Sequence, residues 1–168
     1  MVNFEICEST RQWCRYTEFY VEHRQRMIEG YLVKDALADV KNCMRHGRAA
    51  ILTDESGEAI GIGSFVLGVE SEKFADKNIA VLGNSFFVEK YRSNRTFVRG
   101  LQTLAEQIAD MNGDVKEVRI PTASGNPYTN GLYRKIARQT GTMETRYGTF
   151  QIYSASYDEF ASFCDRFH

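Results

Sequence analysis

The chain has 168 residues, 43% of them hydrophobic and 26% charged, enough for one domain whose core needs neither disulfides nor a metal. Its formal net charge is -1, so it lacks the basic excess that a general nucleic-acid binder carries. The 4 cysteines and 3 histidines form no CxxC pair and show no zinc-ligand spacing. The start "MVNFEICEST" is not a signal peptide, and no apolar run reaches the ~18 residues of a membrane span. These features predict free thiols in a reducing, cytoplasmic setting.

"VNFEIC" reads as a first strand. Ser9 or Thr10 then caps a helix to about residue 27, with Trp13, Tyr16, Tyr20, His23 and Met27 on one face. His23 is expected at the core boundary rather than as a ligand. A second helix is predicted over about 33–44, with Val33, Leu37, Val40 and Met44 along its apolar side and Gly47 ending it. Two apolar strands flanking "DESGE" form a hairpin, and "NIAVLGNSFFVE" continues it as one uninterrupted fourth strand. A helix over about 95–111 carries Phe97, Val98, Leu101, Leu104, Ala105 and Ile108 at helical spacing. "VKEVRIPTA" is a fifth strand, and "NPYTNGLYRKIARQ" a helix with Asn126 as N-cap and Pro127 in its first turn. "METRY" and "TFQIYSA" make a last hairpin, and a helix over about 157–167 ends the chain. The order predicts one α/β domain. Its sheet is mixed and mostly antiparallel, with a parallel pair between the fourth and fifth strands and helices on both faces.

Between the fourth strand and its helix lies "VEKYRSNRTFVR", with Arg92, Arg95 and Arg99. A helix N-terminus after a strand presents unpaired N–H groups and partial positive charge, which suit a phosphate. Guanidinium groups would add charge-assisted bonds. A solvated basic turn is the plainer alternative.

With Val88 and Arg92 in place, this loop resembles the V-x-x-x-[Q/R]-x-x-G-x-[G/A] motif of the Gcn5-related N-acetyltransferase (GNAT) superfamily. Arg95 and Phe97 stand where that motif has glycines. "NPYTNGLYRKIAR" is similar to a second family pattern through Asn126, Leu132, Tyr133 and Lys135, with Ala137–Arg138 replacing its Gly-Phe. The resemblance spans about residues 2–154, and the ending "YGTFQIYS" is similar to degenerate versions encoded by phages. It implies a GNAT-like fold and acetyl-CoA as co-substrate. The cofactor-binding set would be Phe87, Val88, Arg92, Ser93, Asn94, Arg95, Thr96, Phe97 and Asn126. A backbone N–H around residues 86–88 would stabilise the oxyanion. Tyr133 would protonate the departing thiolate. Read from the strand itself, Ser85 and Asn84 are the catalytic candidates that would orient a water.

The fourth strand offers no carboxylate as base. Glu70, Glu72, Asp76 and Glu89 flank it and read as solvated charges. The acceptor would be an amine on a small molecule or a protein. Tyr147, Phe150 and Tyr153 in the last hairpin would pack internally or across a homodimer. The rival expectation is a catalytically inactive GNAT-like binding or structural module acting through protein partners, as the lost glycines favour. Nucleic-acid binding through Arg92, Arg95, Arg99, Arg134, Lys135 and Arg138, with Tyr91 and Phe97 for stacking, has no support from net charge.

Overall fold

The computed structural model describes residues 2–166, and the side chains of all of these except Asn94. β1 (Asn3–Ile6) lies at the sheet edge, antiparallel to β2 (Gly47–Thr53). Between them run α1 (Thr10–Met27) and α2 (Val33–His46). Ser9 opens α1 with a capping box: its Oγ accepts from the Gln12 N–H at 3.2 Å, and Gln12 Oε1 accepts from the Ser9 N–H at 3.0 Å. Two orphan donors are thereby satisfied. Tyr16, Phe19, Tyr20 and Met27 are buried, while Trp13 and His23 sit half-buried at the margin of that face.

α2 turns differently from its apolar pattern. It buries Ala36, Val40 and Cys43, and leaves Val33, Leu37 and Met44 exposed at 42%, 45% and 56%. Ala36 and Cys43 precede Leu37 and Met44, so the two stripes lie about 100° apart. The smaller side chains let the helix settle closer to the sheet. Gly47 follows α2 in extended backbone. Its need for glycine is contact: a Cβ there would stand 1.8 Å from the Phe65 carbonyl oxygen.

β2 turns at Asp54 into β3 (Ala59–Leu67), with Gly57 at φ +85 and the Asp54 carboxylate accepting from the Ser56 and Glu58 N–H groups. The expected fourth strand is two strands, β4 (Ile79–Leu82) and β5 (Phe86–Phe87), both antiparallel to β3. The Gly83 N–H donates to Ser64 at 2.9 Å, while Phe86 lies opposite Ile62. One strand advances three residues where the other advances two, which is a β-bulge. Gly83 fits there because a Cβ would meet Ser64 Oγ at 2.1 Å.

α3 (Asn94–Met111) leads to β6 (Glu117–Ala123), which runs parallel to β4 as expected. α4 (Pro127–Tyr133) ends earlier than its sequence suggests, because Arg138 already begins β7 (Arg138–Thr145). β8 (Gly148–Ser156) enters between β6 and β7, giving the order β1-β2-β3-β4-β6-β8-β7 with β5 also on β3. α5 (Tyr157–Asp165) packs beside α3. Alternation along the strands feeds two cores. Leu52, Phe87 and Ile120 join the α3/α5 core, whereas Ile51, Ile62 and Phe86 join the α1/α2 core. Full burial of each such side chain contributes roughly 1.5–3 kcal/mol. Tyr153 and Phe150 are buried within the chain, and Tyr147 packs edge-on against Tyr31.

Candidate active site at the strand split

The parallel ladder between β4 and β6 stops at the pair Val81–Arg119. Beyond it, β5 stays with β3 and β6 stays with β8, so a split opens in the sheet. The Val88 N–H donates to Ile60 at 2.8 Å. Bonded pairs alternate in an antiparallel ladder, so the neighbouring pair Gly61–Phe87 is non-bonded. The Phe87 N–H and C=O therefore face the split. Across it, Ser124 donates to Thr149 at 3.0 Å. By the same alternation, the backbone groups of Pro121 and Ala123 face the split. Pro121 sits in a central strand without cost, since its missing N–H falls on the unpaired edge.

Next to the split is a cleft of about 550 Å³, lined by Ser85, Phe87, Arg92, Phe97, Asn126 and Tyr128 among others. Arg92 donates from Nε to the Phe87 carbonyl at 3.0 Å, and its guanidinium lies 5.1 Å from the centre of the Phe86 ring. Ser93 caps α3, its Oγ accepting from the Thr96 N–H at 3.1 Å and donating to Thr96 Oγ1 at 3.0 Å. Asn94 is the first residue of α3, and its side chain lies outside the described part. Arg95 and Arg99 are exposed. Phe97 is 3% exposed and packs against Phe87, Tyr128 and Tyr133 at centroid distances of 6.1, 6.4 and 5.6 Å. Its ring turns into the core, and the cleft remains open above it.

The residues that the sequence groups at the reacting centre divide between two places. Tyr133 is 3% exposed and stands behind Phe97 rather than in the cleft wall. Burial raises its pKa well above that of an ordinary phenol, and hydrogen bonding with Ser85 opposes that rise. Ser85 itself lines the cleft. Asn84 faces the other way and donates to Tyr20 Oη at 2.8 Å. Asn126 caps α4, its Oδ1 accepting from the Thr129 N–H at 3.2 Å, so its side-chain carbonyl is engaged inside the protein.

Among solved structures, the chain superposes on a GNAT-family acetyltransferase from Staphylococcus aureus Mu50 with a TM-score of 0.73 at 12% identity, covering 94% of this chain and 99% of the other. A putative acetyltransferase from Acinetobacter baylyi ADP1 gives 0.70 at 12% identity, with 93% and 92% covered. An aminoglycoside acetyltransferase in complex with coenzyme A gives 0.69 at 13% identity, with 96% and 98% covered. The chain has the GNAT fold. No protein-family model matches its sequence, and no curated protein does.

On the opposite side of the split, the GNAT fold of this chain holds a second cavity of about 730 Å³. Ile28 and Tyr147 line both cavities. At its wall, Tyr20 Oη donates to Asp39 Oδ2 at 2.7 Å, and Tyr31 Oη donates to the same oxygen. Burial raises the Asp39 carboxyl above its usual range, against the lowering effect of the two phenols. Nearby, Asp35 accepts from Tyr147 Oη and lies 3.8 Å from Arg146. Arg119 is paired with Glu117 at 2.8 Å. Sequence reading passed over Asp39, whose only local signal is a carboxylate one residue from the buried Val40.

Proposed function

We propose that the chain is an acyl-CoA-dependent N-acetyltransferase that moves an acetyl group from acetyl-CoA to an amine by direct attack. The observation that carries it is the split, with the Phe87 N–H turned into it beside the Arg92-lined cleft. A thioester carbonyl placed against that N–H would have its developing oxyanion stabilised by a preorganised donor. The amine nitrogen would bond to the carbonyl carbon as the carbon–sulfur bond breaks. The thiolate would take its proton from the Ser85 hydroxyl, replenished by Tyr133 behind it, and the phenolate would regain a proton from solvent before the next turnover. Its raised pKa keeps the buried phenol protonated in the resting site. Arg92 would pair with the pyrophosphate, with Ser93, Arg95 and Thr96 at the same helix start. The fold shared with an acetyltransferase bound to coenzyme A supports the choice of donor.

A second reading is a GNAT-like module that binds partners without catalysis. It is favoured by the Ser93 side chain on the Thr96 N–H, which a phosphate would have to displace, and by Arg95 and Phe97 at the glycine positions. Calorimetric titration with acetyl-CoA decides between them, with Arg92→Ala as the comparison. Micromolar binding that weakens in the variant supports the enzyme. No binding at millimolar acetyl-CoA sinks it in favour of the module.

A further inference from the structure

We infer that the second cavity takes a compact acceptor bearing one cationic primary amine on a mostly apolar body, and that Asp39 both binds the ammonium and removes its proton. This rests on the acetyltransferase reading and names the acceptor class for the same split.

The cavity wall is largely apolar, with Ile28, Val69, Phe74, Pro121, Phe150 and Ile152. Its volume of about 730 Å³ falls within the range of small-molecule sites. Asp39 is fixed in this wall by two phenols from different segments, Tyr20 on α1 and Tyr31 after it. Both phenols donate to Oδ2. Tyr20 in turn accepts from Asn84 at 2.8 Å, so the carboxylate is tied by two hydrogen bonds to the bulge where the split begins.

The other charges facing the cavity do not favour a polycation. Asp35 is engaged by Arg146 and Tyr147, and Arg119 by Glu117. Glu70 is exposed, in the turn between β3 and β4. That leaves one anchored carboxylate for one ammonium, with apolar walls for the rest of the molecule.

The proton count is simple. The acceptor arrives as R–NH3+ and gives one proton to the Asp39 carboxylate. The resulting R–NH2 forms the carbon–nitrogen bond while the carbon–sulfur bond breaks. The nitrogen loses its second proton to solvent, and Asp39 later returns its own to solvent. A carboxylate whose burial raises its pKa is a better match for this exchange than an exposed one.

The test titrates the intact protein, with and without coenzyme A, using 2-phenylethylamine, the neutral 2-phenylethanol and spermidine. The expected result is saturable binding of the amine, at least tenfold weaker binding of the alcohol and no gain for spermidine. Asp39→Asn should weaken the amine at least tenfold while acetyl-CoA binds as before. The acid limb of kcat/KM against pH for the amine should vanish in Asp39→Asn. Equal binding of amine and alcohol overturns the inference, as does unchanged amine affinity in Asp39→Asn, tighter binding of spermidine, or no binding of any probe while acetyl-CoA binds. Should Asp39→Asn fail to unfold cooperatively, the amine and alcohol comparison on the unaltered protein decides alone. Amine binding without acetyl-CoA binding would instead overturn the proposed enzyme and leave the cavity assignment standing.

Discussion

The two cavities that meet at the strand split take their functional groups from different sources. The Arg92 side takes its charge and its helix start from one continuous stretch, β5 to the first turn of α3, while the end of α1, the start of α4 and the β7–β8 turn complete its wall. The Asp39 side is made from side chains on α1, α2, the bulge and the last hairpin. The charged helix start of the first site forms once a strand, a cap and a helix follow in order, although its walls and the outward Phe87 N–H need the assembled sheet. A site of the second kind exists only after the whole sheet has assembled. The second should therefore be the more sensitive to any shift between the helices and the sheet.

That contrast can be broken or sharpened experimentally. The largest effect is expected at Phe97, whose ring fills the core beneath the Arg92 cleft. Phe97→Ala should lower unfolding free energy by about 3–5 kcal/mol in denaturant titration. A loss below about 1 kcal/mol would mean that the ring stands in the cleft instead. Tyr133→Phe should reduce kcat by about a hundredfold while leaving acetyl-CoA affinity intact. An unchanged kcat would remove the Ser85–Tyr133 pair from proton delivery. Arg92→Ala should weaken acetyl-CoA by about tenfold or more, as expected for a lost charge-assisted bond.

The Asp39 side gives a pH test. A carboxyl with a raised pKa holds its proton in the folded state where the unfolded chain has released it, so stability falls as pH rises through that window. The window opens at the ordinary value of 3.8 and closes at the raised folded value. Asp39→Asn should remove this fall, so that its stability relative to the unaltered protein improves as pH increases through the window. Parallel curves for the two proteins would show that burial does not perturb Asp39. The smallest effect is at Ser93. Ser93→Ala removes an N-cap and should cost about 1 kcal/mol. Because it also exposes the Thr96 N–H, acetyl-CoA affinity should hold or improve slightly.

How far the sequence could be read depended on the reach of each signal. The helix start at Ser9 or Thr10, the Asp54–Gly57 turn and the apolar spacing of α3 act within a few residues and were legible. The α2 stripe misled because Val33, Leu37 and Met44 have the better apolar period, yet Ala36 and Cys43 allow the closer approach to the sheet. The break in the fourth strand has no strong sequence mark beyond Gly83, since Asn84 and Ser85 can also continue a strand. Val88 and Arg92 pointed to the Arg92 cleft, while Asp39 looked like one more charge on a helix.

The sequence by itself determined the order of elements, the parallel crossover through α3 and the position of the charged loop, because periodicity, caps and turn residues are local. Only the tertiary structure decided where the sheet splits, which way the Phe87 N–H faces, that Phe97 turns inward, and that Tyr20, Tyr31 and Asn84 gather around Asp39. Each of those depends on the register between strands or on contacts between residues distant in the chain. No single segment encodes such relations: they follow from burying two cores against one twisted sheet.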